Sequence, residues 1–153
     1  MMETLTIPND ILLSQVSLIL AGGQRVTLKV RGSRMLPFIT GDRDSVEMEK
    51  PSGELAVGDI VLAEILPGRW VIHRIFEING NEVILMGDGN IRGTEKCRLE
   101  DVHGLILFVV TPSGKKKDCR SPRAMRRARL WRRLLPVRRL LLAVYRRTIL
   151  KLK

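Results

Sequence analysis

Six short blocks stand out for the residue types they hold: GSRMLP (32–37), GD (41–42), GDIV (58–61), HRI (73–75), GDGN (87–90) and EDVHG (100–104). They bring together a serine, two arginines, two histidines and several aspartates. A serine hydroxyl is a poor nucleophile until a neutral imidazole accepts its proton, and a carboxylate on the other ring nitrogen then sets the tautomer. Each residue taken alone has a plainer use. His73 within WVIHRIF fits a packed strand position, and Asp88 within MGDGN fits a turn, since Asp-Gly and Gly-Asn steps favour turns. Asp42 and Asp59 read as residues of turns and strand starts, and His103 as structural. The two cysteines, Cys97 and Cys119, form no Cys/His cluster of metal-ligand spacing and read as free thiols. No metal and no other cofactor is expected.

The elements that must position these blocks are short. Residues 26–30, VTLKV, alternate apolar and polar, a strand pattern. Further runs of strand character occur at 45–48, 60–66, 70–78, 82–86 and 102–110, separated by Gly, Pro, Asp and Asn. Asn79-Gly80 between two of them predicts a hairpin with a type I′ turn, which needs positive φ angles. Strands at this spacing without intervening helices imply a small, mostly antiparallel β domain over 24–110. Before it, residues 1–23 hold an apolar stretch with helix-start punctuation at Pro8, Asn9 and Asp10. This predicts an amphipathic helix over about 10–20, ended by Gly22-Gly23. The stretch lacks a basic leader and is too short and polar to span a bilayer core of about 30 Å.

Charge divides the chain. Its formal charge is +11, yet residues 1–118 carry all 16 acids and only 14 of the 27 basic residues. Residues 119–153 carry the other 13 basic residues and no acid. Residues 111–122, TPSGKKKDCRSP, predict a linker. Residues 123–153 predict a helical tail, divided or kinked at Pro136, with apolar positions 137, 140, 141, 144, 149 and 152 recurring at helical spacing and arginines largely opposite.

The six blocks, in this order on a β-rich background, resemble those of the signal peptidase I and LexA-like serine peptidase superfamily over about residues 26–110. The resemblance implies a signal-peptidase-like β domain and a serine endopeptidase acting on a peptide or protein precursor. In the branch with a histidine base, it implies Ser33 as nucleophile, His73 of HRI as general base, Asp88 of GDGN as the residue that orients His73, and backbone N–H groups near 33–35 as oxyanion donors. Arg34, Met35 and Pro37 would contact substrate.

One departure from the family pattern, G-x-S-M-x-P, is decisive for activity. Gly32, Met35 and Pro37 match it, but Arg34 holds the nucleophile position and Ser33 the variable one. Neighbouring side chains in extended structure point to opposite faces. Either Ser33 faces away and Arg34 enters the cleft, where it would disfavour a protonated imidazole and could hold a carboxylate bidentately, or a local bulge returns Ser33 to His73. The first alternative makes the domain a catalytically inactive peptide binder. The tail, with its leucines, Trp131 and Tyr145, suits an anionic membrane surface, less well a partner protein or the protein's own core, and a nucleic acid least. With no anchor or export signal in view, the expected location is the cytoplasmic face of the membrane.

Overall fold

The computed structural model describes residues 9–32 and 34–148. Helix α1 (Asn9–Ala21) leads into an antiparallel sheet of eight strands: β1 (Val26–Lys29), β2 (Ser45–Glu49), β3 (Ile60–Leu66), β4 (Arg69–Asn79), β5 (Glu82–Met86), β6 (Glu95–Arg98), β7 (Val102–Val110) and β8 (Lys116–Asp118). Two helices follow, α2 (Pro122–Arg133) and α3 (Arg138–Thr148), with a 3-10 turn at Leu135–Val137 between them. The protein is thus mostly β, with one helix before the sheet and a basic helical segment after it. Among the described residues, no helix is long and apolar enough to cross a membrane.

The sheet runs in the order β1-β2-β7-β3-β4-β5-β6, with β8 pairing β7. Strand β3 lies inside it, and Ile60, Val61, Leu62 and Ala63 are all buried. Its alternating side chains therefore feed two cores. Ile60 and Leu62 join Leu13, Val16 and Leu20 of α1 in one. Val61 and Ala63 join Ile75, Val83 and Leu85 in the other. Residues 13, 16 and 20 share one helical face, so α1 lies across the first core as an amphipathic helix. It ends where Gly23 takes a φ of +89° and its N–H donates to the Leu20 carbonyl.

Two elements differ from the sequence reading. The β4–β5 hairpin forms, with Asn79 paired to Glu82, so Asn79 is the last strand residue and the turn is Gly80-Asn81. Only Gly80 of that pair has positive φ, which is the II′ pattern and not I′. Residues 111–122 are not a free linker. They hold β8 and the ion pair between Arg120 and the fully buried Asp59, 2.9 Å. The segment after residue 121 is helical, as read, and packs on the chain's own core. Ser121 caps α2 by accepting the Ala124 N–H, and Pro122 stands at the first helical position. Trp131 and Leu142 are then buried with Leu36 in a third core. Pro136 does divide the segment into two helices. Residues 149–153, including two of the apolar positions read as helical, lie outside the described residues.

Candidate functional site

A cleft of about 380 Å³ opens between β1 with its following loop and the first half of β4, under α1. His73, Arg34, Met35, Arg69 and Trp70 border it, together with Lys29 and Arg31. Among the described residues no acidic one borders it, and the four cationic side chains there make the field they create positive. Its two flanking backbones are only half used. Among the described residues β1 is the terminal strand of the sheet and pairs only with β2. β4 pairs with β3 along Arg69–Arg74 but with β5 only from Arg74 onward, so residues 69–73 have one edge with no strand partner among the described residues.

His73 is 2% exposed. Burial lowers its pKa to about 4, and the nearby charges of Arg34 and then Arg69 push in the same direction. The imidazole is neutral at pH 7. Its Nδ1 is buried and has no hydrogen-bond partner among the described residues, and the same holds for the indole Nε1 of Trp70. Two buried polar atoms of β4 therefore lack partners, where buried polar groups ordinarily have them, and alternation along the strand puts the two side chains on opposite faces.

Asp88 does not supply the missing partner. Its carboxylate accepts two bonds from Arg74, 2.8 Å from Nε and 2.6 Å from Nη2, and Arg74 also donates to the Gly58 carbonyl. Arg74 follows His73 in β4, and alternation sends the two side chains to opposite faces of the sheet. The orienting role that the family resemblance implies for Asp88 thus has no hydrogen bond behind it. The signal that could have shown this was the HR pair itself, since a buried arginine beside a histidine competes for the one carboxylate nearby.

The GDGN turn instead positions the cleft loop through backbone. Gly89 N–H donates to the Arg34 carbonyl at 2.7 Å, and the Asp88 N–H points at the Met35 sulfur at 3.4 Å. A Cβ on Gly87 would meet that same Arg34 carbonyl, so glycine is required for the close approach. Met35 is buried and Phe38 and Ile39 donate to its carbonyl, which folds residues 35–39 into a compact turn. Pro37, after a cis Leu36–Pro37 bond, is half-buried and does not border the cleft. Ser33 lies outside the described residues. Arg34 is exposed at the cleft.

The far side of the same turn is held by the C-terminal helices. Trp131 donates its indole N–H to the Asp88 carbonyl at 2.8 Å, and Arg138 donates to the Asn90 carbonyl at 3.0 Å. Arg132 takes the carbonyl of Phe76, which bulges out of the β4–β5 register, and stacks over its ring at 4.1 Å. The other aspartates are structural: Asp59 caps the Ala56 N–H, and Asp42 sits in a turn with φ of +63°. His103 packs against Trp70, ring centroids 5.1 Å apart. Sequence reading missed Lys29, Arg31, Arg69 and Trp70 as bordering the site; β-strand alternation alone did not say which strand edges would face each other. Neither a protein-family model nor a curated protein matches this chain.

Proposed function

We propose that the chain is a signal-peptidase-like domain whose cleft binds an extended peptide and holds an anionic group of that peptide on Arg34. One observation carries this reading: Arg34 and a buried, neutral His73 share a cationic cleft flanked by two strand segments with open edges. An extended peptide can add to an open edge through main-chain hydrogen bonds. A guanidinium binds a carboxylate bidentately, so a peptide C-terminus or an acidic side chain suits Arg34.

A second reading is hydrolysis, with Ser33 as nucleophile, His73 as general base and Asp88 in support. One observation favours it, namely that His73 is unprotonated at neutral pH, the form that a base needs. Its low basicity and the commitment of Asp88 to Arg74 weigh against it. The outer face of the C-terminal helices is the part that meets a membrane in this proposal, on its cytoplasmic side. Leu130, Val137, Leu140 and Val144 are exposed there among arginines, a pattern that suits an anionic bilayer surface better than nucleic acid.

The test uses a peptide library with free C-termini, read for retention and for products by mass spectrometry. The natural protein should retain carboxylate-bearing peptides uncut, and Arg34→Ala should weaken retention at least tenfold. Products formed by the natural protein and absent with Ser33→Ala would overturn the binding reading in favour of the peptidase. Products from only the double variant Ser33→Arg, Arg34→Ser would mean a cleft that lacks just its nucleophile.

A further inference from the structure

A second cavity, of about 640 Å³, lies on the opposite side of the GDGN turn, between α2 and the sheet. Its floor is apolar, from Ile75, Met86 and Trp131, Val57 stands half-exposed at its mouth, and arginines ring it. Arg138 is the informative one. It is 3% exposed, and its two Nη atoms donate to the carbonyls of Asn90 and Trp131 at 3.0 and 3.1 Å. Its Nε is buried without a partner, and no carboxylate pairs with it among the described residues. Asp88 is the anion nearby, but Arg74 already binds both of its oxygens. One carboxylate thus stands against two largely buried guanidinium groups, and the one left over, Arg138, rests on two carbonyls and over the Trp131 ring, 5.0 Å to its centroid, with no anion beside it among the described residues. Arg129 and Arg133 add two further cations at the cavity, neither in an ion pair among the described residues.

We propose that this cavity binds a small amphiphilic anion, a carboxylate or phosphate monoester on a single alkyl chain, with its head on Arg138 and its chain against the apolar floor. The volume lies in the range of ordinary small-molecule sites, which are mostly apolar with a few convergent polar groups. The charge imbalance at Arg138 selects an anion over a neutral lipid. The ring of further arginines favours the same sign. The site is separate from the exposed leucines of α3, which face outward.

Titration calorimetry of the full chain with laurate and with dodecyl phosphate, both below their micelle concentrations, tests this. Saturable binding at one site per chain is expected, at least tenfold tighter than for dodecanol and tenfold tighter than for butyrate or inorganic phosphate. Arg138→Gln should weaken laurate binding at least tenfold. Val57→Trp, at the half-exposed mouth, should do the same by filling the cavity, and it serves should Arg138→Gln fail to fold. The outer-face variant Leu140→Glu, Val144→Glu should bind laurate like the natural protein. The inference is overturned by an absence of saturable binding, by dodecanol binding as tightly as laurate, or by laurate binding that survives Val57→Trp and disappears in the outer-face variant.

Discussion

Arg74 holds both carboxylate oxygens of Asp88, and the side chains of both are nearly sealed from water, at 12% and 3% exposed. Removing one partner leaves the other charge buried alone, which costs about 3–5 kcal/mol. Asp88→Ala should therefore lower unfolding stability by an amount of that order, measured by urea titration. It should leave the His73 titration midpoint almost unchanged. A large shift of that midpoint would restore Asp88 to a role in orienting the imidazole.

His73 itself gives a pH signature. Its pKa is about 4 in the folded protein against an ordinary 6.5, so between those values the unfolded chain holds a proton that the folded chain releases. The contribution to stability is complete above about pH 6.5 and is lost as pH falls towards 4, at most about 3 kcal/mol. NMR titration of the imidazole should place the midpoint near 4. Arg34→Gln should raise it, though not back to 6.5, because burial is the larger cause.

Gly87 offers a test of how the cleft loop is held. A Cβ there meets the Arg34 carbonyl at 2.5 Å, against backbone that cannot swing aside as a side chain would. Gly87→Ala should displace residues 34–35 and weaken peptide binding at least tenfold, measured by fluorescence anisotropy. Gly53→Ala, where a Cβ has open space, should leave binding as it was.

The two leucines Leu142 and Leu140 separate the two faces of α3. Leu142 is 1% exposed in the core with Trp131 and Leu36, and Leu140 is 66% exposed. Leu142→Ala should cost about 2–5 kcal/mol in urea unfolding, and Leu140→Ala no more than about 0.5 kcal/mol. The order should reverse in sedimentation with phosphatidylglycerol vesicles, where Leu140→Ala is the more damaging.

The apolar runs made most of the sheet legible. IVLAEIL, WVIHRIFEI and VHGLILFVV are strands because long apolar and β-branched stretches have to be buried, and their bounds follow closely. β6 and β8 left no such trace. EKCR buries only Cys97, and KKD is wholly exposed, so both are strands by virtue of backbone bonds offered by a neighbour. The tail was legible as two amphipathic helices, but periodicity does not say which partner covers an apolar face. Trp131 and Leu142 found theirs within the same chain. His73 was legible as a candidate; its isolation from Asp88 left one trace, Arg74 beside it in HRI, because strand alternation fixes a face and not which partner a carboxylate takes.

The GDGN turn has one further consequence, for modularity. Its amides hold the cleft loop on one side, and its carbonyls are taken by Trp131 and Arg138 on the other. Four residues of backbone thus serve two neighbours at once. Any lineage or engineer that crops the chain at residue 121, swaps its helices or grafts the sheet elsewhere also redraws the wall of the cleft. The charge boundary that divides the sequence so cleanly is therefore not a seam along which the protein comes apart.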